Sequence, residues 1–355
     1  MNRLRSVVRV AAYLPAGTSG GYRVAGFDED AFTMGATAVE RVWADRDFRP
    51  GHLVVHLLGE FPAMADWGFA ALLGQEAEVI RHPGDAGELG QTLRSLEAGL
   101  GGPALLIVTD LPERIPPGEG RPPAPPGAGA IAFLLESAER SKPFHLEKGS
   151  PTRSAVATLW AGGKPRSGEA RTVEFLGDWS ADPARGRPVD LDLVGRLADR
   201  DASAVSEGAY VPRARYLENL PSRWRLAAEE CAVCHEVTFP ARGNCRRCSR
   251  KDELTTVFLP RDGGRVVAVT TIGRGGQPTE FDRQVEATGP YMVALVDLVE
   301  GTRGTLQVTD AGPGELHVGD RVQTQLRRLY PMEGEWRYGR KAAPVRPGDP
   351  ETGSR

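Results

Sequence analysis

An α/β domain followed by a four-cysteine ribbon and a small all-β barrel is the fold class this sequence predicts, and three observations predict it. Strand and helix signals alternate over residues 1–155, the pattern of an α/β domain. All four cysteines of the 355-residue chain lie between positions 231 and 248. Five short strand signals separated by turns come next, as in a small barrel. At roughly 100–200 residues per domain the length fits two or three domains. A hydrophobic content of 40% and a charged content of 26% are those of ordinary globular protein.

In the first domain, Val7–Leu14 is a Val-rich apolar run followed by the turn residues Pro15, Gly17, Gly20 and Gly21. Asp28, Glu29 and Asp30 then open a segment whose apolar residues Phe32, Ala36, Val39 and Trp43 recur at helical spacing. His52–Leu58 reads as a buried strand, Asp66–Leu73 as a short helix, Glu78–Arg81 as a brief strand and Ala86–Leu100 as a helix. Ala104–Thr109 carries no charge, so both of its faces are expected to be covered. Ile115–Gly127 holds six prolines and three glycines and reads as an exposed loop, after which Ala128–Leu135 resumes a strand.

Residues 156–215 read as a polar connecting region with one helix, Leu191–Leu197. Leu217–Glu230 is an amphipathic lead into the cysteines, giving a helical lead and ribbon over 216–254. The barrel, 255–343, takes its strands from Thr256–Leu259, Arg265–Ile272, Tyr291–Leu298, Gly304–Val308 and Arg321–Leu329. The tail 344–355 reads as disordered.

A net charge of −3 removes the global electrostatic pull of a dedicated nucleic-acid binder. No apolar run approaches the ~20 residues that span a bilayer. The opening MNRLRSVVRVAAYLPAG mimics a signal peptide, but Arg9 interrupts its apolar part, so it reads as the first strand. With the cysteines clustered rather than scattered, the chain is expected to be cytoplasmic.

Cys231, Cys234, Cys245 and Cys248 form C-x2-C-x10-C-x2-C. Each C-x2-C pair can present two thiolates to one tetrahedral ion with metal–sulfur bonds of ~2.3 Å. Four protein ligands leave no open position, so the expected metal is a structural zinc. A single iron or a pair of disulfides are the alternatives. Arg242, Arg246, Arg247, Arg250 and Lys251 surround the knuckles with only Glu236 and Asp252 against them. They are either an anion site for phosphates or the solvated surface of a small ribbon.

The run YLENLPSRWRLAAEECAVCHEVTFPARGNCRRCS, with the later GPYMVALVDLVEG and HVGDRVQTQ, resembles the DUF35 family over residues 214–343. That family joins a rubredoxin-like zinc ribbon to an OB-fold. Its usual Cys-x-x-Cys-Gly knuckle and aromatic-Pro-Pro-Arg stretch are replaced here by Cys234-His235 and Phe239-Pro240-Ala241-Arg242. The resemblance implies a partner from the thiolase superfamily, whether a thiolase, a ketoacyl synthase or a hydroxymethylglutaryl-CoA synthase-like enzyme. It also implies an acyl-CoA or acyl carrier protein held through the ribbon and barrel, the five basic residues facing the CoA phosphates.

The first 150 residues resemble the N-terminal half of hydroxymethylglutaryl-CoA synthases and ketoacyl synthase III proteins, through a strand, the turn Tyr13–Pro15, and Asp28-Glu29-Asp30 opening a helix with Thr33-Met34. This implies a thiolase-like half domain. Condensation in that superfamily needs a Cys at the start of a buried helix, where the helix dipole lowers its pKa. The matching place, His82-Pro83-Gly84-Asp85, holds none, and no Cys precedes residue 231. The expected function is therefore a non-catalytic, zinc-containing subunit with no catalytic residue of its own. A single-stranded nucleic-acid-binding protein and a stand-alone acyltransferase are the rivals.

Other candidates have plain readings. His82 reads as a surface-loop histidine rather than a residual acid or base, and His52 and His56 as packed strand residues. Helix capping accounts for Asp28, Glu29 and Asp30. Trp336, Arg337 and Tyr338 follow the last strand signal and read as a packed tail rather than an adenine platform.

Overall fold

The computed structural model describes residues 5–13, 15, 17–19, 22–43, 52–84, 88–98, 102–110, 129–137, 187–188, 211–299, 301–332 and 335–345. Two units, Met1–Gly195 and Arg196–Arg355, divide the chain. The loop 115–127, the helix expected at 191–197 and the tail beyond 345 lie outside the described residues. Among the described residues no helix is long and apolar enough to cross a membrane.

The first unit is built on one mixed five-stranded sheet. Its elements are β1 (Arg5–Tyr13), α1 (Ala31–Trp43), β4 (Leu53–Leu58), α2 (Ala65–Leu73), β5 (Ala77–His82), α3 (Leu89–Ala98), β6 (Ala104–Asp110) and β7 (Gly129–Ser137). The strands run in the order β1-β7-β6-β4-β5. β4 is parallel to β5 and β6, whereas β7 is antiparallel to both its neighbours, β1 and β6. The uncharged strands behave as expected of strands covered on both faces: Leu53, Val55 and Leu58 of β4 and Ala104–Val108 of β6 are buried.

Helix α1 packs against β1, β6 and β7. It starts where Asp30 and Thr33 cap each other: the Thr33 N–H donates to Asp30 Oδ1 at 2.8 Å and the Asp30 N–H to Thr33 Oγ1 at 2.9 Å. Glu29 departs from the capping expectation. It is buried and turned away, accepting the Tyr13 hydroxyl and the Gly26 N–H. Where turn residues were expected, β2 (Gly17–Ser19) and β3 (Tyr22–Val24) form a hairpin with Ser19 opposite Tyr22. The connecting region supplies β8 (Arg187–Pro188), parallel to β2; two residues are too few to show a strand pattern in the sequence.

In the second unit the lead is two short helices, α4 (Arg213–Glu218) and α5 (Leu220–Arg225), rather than one amphipathic segment. Leu226, at φ 56°, ends the helical part, and the last residues of the stretch become β9 (Ala227–Cys231). β9 is the middle of a three-stranded ribbon sheet between β10 (Val237–Thr238) and β11 (Leu254–Phe258). This corrects the strand expected at Thr256–Leu259: the segment is a strand, but its hydrogen bonds go to β9, as Leu254 opposite Cys231 shows.

The barrel sheet runs β14 (Thr302–Gln307), β13 (Tyr291–Val299), β12 (Gly264–Ile272), β15 (Arg321–Met332), β16 (Glu335–Pro344). A parallel bridge between Val308 and Ala342 joins its two edges. The fifth strand is thus β16, where a packed tail was expected. Trp336, Arg337 and Tyr338 are strand residues paired with β15, and Pro344 still pairs with Val322. Three arginines or lysines among the ten residues of β16 hide the apolar alternation that marks a strand.

Ribbon and barrel share one core. Leu226 and Ala228 are buried with Val266, Met292, Ala294, Val296, Leu306 and Val322, and Val237 and Phe239 pack onto the same cluster. The lead helices are fastened to β16 by a buried polar junction. The Tyr216 hydroxyl donates to the Tyr338 carbonyl at 3.1 Å and accepts the Tyr338 N–H at 2.9 Å, and the Trp224 indole N–H reaches the same carbonyl. Burial pushes the Tyr216 phenol up to about 12, so it stays a neutral donor. Tyr216→Phe leaves a buried N–H without its acceptor, and the expected cost is about 1–3 kcal/mol. Urea unfolding should show a lower midpoint at unchanged slope.

Candidate functional site

Two matching turns build the cysteine site. After Cys231, the His235 N–H donates back to the Cys231 carbonyl at 2.8 Å; after Cys245, the Ser249 N–H does the same to the Cys245 carbonyl at 2.9 Å. Both closing residues are left-handed, His235 at φ 56° and Ser249 at φ 61°. Glycine is the residue that adopts that conformation without the Cβ penalty. The turns bring all four sulfurs within 4.8 Å of one another.

The separations are 3.6 Å for Cys231–Cys248, 3.5 Å for Cys234–Cys245 and 3.7 Å for Cys234–Cys248. A tetrahedron of sulfurs ~2.3 Å from a central ion has edges of about 3.8 Å, so the donor set fits a tetrahedral metal. The N–H groups of Arg247 and Cys248 approach Cys245 Sγ at 3.4 and 3.5 Å. The Cys248 N–H is the main cause that brings the Cys245 thiol down to about 6. Cys234 goes the other way: the Glu236 N–H favours its thiolate, but burial and sulfur hydrogen bonds to its three neighbours outweigh this and push it up to about 12. Four sulfurs this close cannot all ionise without a cation among them.

The five basic residues are all exposed. Arg246 is paired with Glu236 and also donates to the Gly301 carbonyl at 2.6 Å, and Arg250 pairs with Glu253 at 3.2 Å. The strand pairing also brings Glu229 to this side, accepting the N–H groups of Arg242 and Gly243 at 2.9 and 2.8 Å. The charge balance read from Glu236 to Asp252 leaves out Glu229 and Glu253. The local positive excess is smaller than the sequence suggested, and Arg242, Arg247 and Lys251 are the cations turned to solvent away from these pairs.

Other residues singled out from sequence are now placed. Tyr338 and Arg337 are buried, which removes them as an adenine platform, and Trp336 lies under the Arg328 guanidinium at 4.6 Å. Tyr291 and Tyr330 are covered by Phe281, with ring centroids 5.8 and 5.5 Å away.

His82 is corrected from a loop residue to the last residue of β5. Its Nε2 lies 2.9 Å from His56 Nδ1, a pairing the sequence hid because the residues are 26 apart and meet only across parallel strands. His56 is buried, and its Nε2 has no hydrogen-bond partner. Burial first, then the charge of His82 and that of Arg5, bring His56 down to about 4. Burial lowers His82 as well. His52 stands apart, exposed beside Glu78 at 3.5 Å.

A four-cysteine ribbon set on a small β-barrel defines a two-part module, preceded here by an α/β unit. The model of the ChsH2 C-terminal OB-fold domain matches residues 256–327. A DUF35 domain-containing scaffold protein of Methanothermobacter thermautotrophicus is 33% identical over 121 residues, which is 34% of this chain and 85% of that one. The chain belongs to the DUF35 family. Among solved structures, the Ltp2–ChsH2(DUF35) aldolase aligns with 40% of this chain and 97% of its own at 22% identity and a TM-score of 0.29. The 3-oxoacyl-(acyl carrier protein) synthase III of Pseudomonas aeruginosa aligns with 39% of this chain and 54% of its own at 23% identity and a TM-score of 0.30.

Two outcomes follow from this geometry. Elemental analysis should find a single tightly held zinc ion, and Cys245→Ser should release it and lower the melting temperature, because metal affinity in such ribbons is folding free energy. For His56, a folded pKa of about 4 against an ordinary 6.5 means that the unfolded chain binds more protons between these values. Stability from this residue is full above pH 6.5 and is lost as pH falls towards 4. His56→Gln should flatten that part of the stability–pH curve in denaturant titrations.

Proposed function

We propose that this chain is a non-catalytic accessory subunit of a thiolase-superfamily acyl-transfer or carbon–carbon bond-forming complex. Its ribbon and barrel would hold an acyl-CoA, or the phosphopantetheine thioester of an acyl carrier protein, for an active partner in the cytoplasm. The carrying observation is that all four cysteines converge on one ribbon site in a chain of the DUF35 family, one of whose members is described as a scaffold protein. A cysteine nucleophile for thioester chemistry would have to be taken from that site.

Cys231, Cys234, Cys245 and Cys248 would hold zinc, which supplies a cross-link rather than a Lewis acid because its coordination is full. Arg242, Arg247 and Lys251 are the exposed cations that would meet phosphates; Arg246 and Arg250 would join them by exchanging their present acidic partners. The α/β unit resembles half of a thiolase-type enzyme, with a sheet, a helix α1 behind it and no cysteine. Its role in this reading is to dock on a partner that carries the nucleophile.

Two measurements test the proposal. The purified chain, given acetyl-CoA or acetoacetyl-CoA, should release no free thiol above the uncatalysed rate. Tagged chain expressed in its source should retain a partner that mass spectrometry identifies as a thiolase-superfamily enzyme. Turnover by the chain alone, or a monomer that retains no such enzyme, overturns the reading.

A further inference from the structure

A strand at the edge of a sheet offers its outer N–H and C=O groups to any extended chain, and proteins guard such edges by short length, charge, irregular register or cover. The described edges of this chain are guarded in these ways, with one exception. β1 carries Arg5 and Arg9 and shifts register between Val7 and Arg9. β5 carries Glu78, beside His52, and Arg81, bonded to Asp66. β3, β8 and β10 have three residues or fewer. β14 and β16 are joined to each other by the Val308–Ala342 bridge, and the Tyr216 hydroxyl of the lead takes up the Tyr338 N–H and carbonyl of β16.

The exception is β11. Its five residues, Leu-Thr-Thr-Val-Phe, hold no charge and no proline and pair with β9 in unbroken register. Thr255 and Thr256 are exposed, and Phe258 is 46% exposed. Among the described residues no strand pairs with its outer side.

The ladder fixes which groups face outward. The Cys231 N–H donates to the Glu236 carbonyl at 3.0 Å, towards β10, and the next N–H, that of Ala232, donates to the Glu253 carbonyl at 2.9 Å, towards β11. Leu254, opposite Cys231, therefore exchanges no hydrogen bond with β9, and its N–H and C=O point away. Alternation carries the same orientation to Thr256 and Phe258, whereas Thr255 and Val257 turn theirs inward. The side chains of Leu254, Thr256 and Phe258 share one face, where the Arg225 guanidinium lies 4.0 Å from the Phe258 ring centroid; Val257, on the other face, packs on the barrel core.

This edge is complementary to itself. In an antiparallel pair of two copies centred on Thr256, Leu254 of each lies opposite Phe258 of the other, and every outward N–H meets an outward carbonyl. Each end then gains an aliphatic–aromatic cross-strand pair. The nearest charges agree with this direction. Asp252 and Glu253 precede the strand, Glu253 already beside Arg250, and Arg225 covers its far end, so each acidic end arrives at the other copy's cation.

We propose that the outer edge of β11 is a docking surface for a second copy of this chain, which adds its own β11 to form one continuous ribbon sheet across a two-fold axis. The pairing requires neither the enzyme partner nor the ligand proposed above. Five residues a side make a contact below the roughly 1,200 Å² of stable interfaces, so the dimer is reversible and controlled by concentration.

Sedimentation of the full, zinc-loaded chain over rising concentration, with residue-resolved amide exchange by nuclear magnetic resonance on the same samples, tests it. The mass should rise from monomer to dimer. Amides of Leu254, Thr256 and Phe258 should exchange quickly when dilute and slow as the dimer forms, while those of Thr255 and Val257 are slow throughout. Thr256→Lys, which sets two like charges opposite each other, should return the chain to monomer with unchanged circular dichroism and zinc content. A monomer at every concentration, a dimer that Thr256→Lys leaves intact, or a dimer in which the three outward amides stay fast overturns the proposal. Protection of those amides only when a thiolase-superfamily enzyme is added also overturns it, and gives the edge to a segment of that enzyme instead.

Discussion

Four sulfurs gathered within 4.8 Å of one another, three of their separations at 3.5–3.7 Å, are the constraint on which the second unit depends. Thiolates at that spacing repel, and thiols at that spacing offer only weak hydrogen bonds, so the arrangement is favourable mainly around a dication. The rest of the ribbon follows from that closure. β10 has two residues and β11 is largely exposed, too little apolar surface to fix three strands by burial alone. Once the knuckles are closed, Val237 and Phe239 are presented to the barrel and join its core. The metal site and the barrel therefore stabilise each other through one continuous packed cluster rather than as two beads on a linker.

The parts legible in the sequence were those governed by local periodicity or by spacing. The Cys spacing gave the metal-site geometry, because a C-x2-C turn is a local structure. Uncharged runs such as Ala104–Thr109 gave buried strands, because a strand covered on both faces cannot carry charge. What stayed hidden depended on pairing between distant residues. β11 has the β-branched and aromatic residues of a barrel strand, and only its ladder to β9 assigns it to the ribbon. β16 was missed because Arg337, Arg340 and Lys341 are buried in it, against every composition rule for a strand interior. Glu229 and Glu253 reach the basic residues only through the fold, so the charge balance of the ribbon could not be read along the chain.

The histidine pair shows the same limit at a place of interest. His56 and His82 meet because β4 and β5 are parallel neighbours, with Leu58 opposite His82. Both rings are driven towards neutrality, one by deep burial and the other by partial burial. Two neutral imidazoles in contact can share one proton between ring nitrogens, and they cost stability when acid charges them. The pair occupies the strand end where the resemblance would place a nucleophile. Its chemistry is that of a packed polar contact rather than of a thiolate activated by a helix N-terminus.

That contrast bears on the part in thioester chemistry proposed above. Attack on a thioester by sulfur requires a thiolate that is free to leave its surroundings and form a carbon–sulfur bond. Here each sulfur lies in a closed set. Using one as a nucleophile would strip a ligand from the ion that fits the set, and with it the closure that fixes β9, β10 and β11. A ribbon that stabilises the fold and a ribbon that performs acyl transfer are therefore competing uses of the same four atoms. The geometry satisfies the first use: both knuckles turn back on themselves through His235 and Ser249, and N–H groups aim at Cys245. With the sulfurs so engaged, the accessory-subunit reading proposed above requires that the bond-making atom come from a partner.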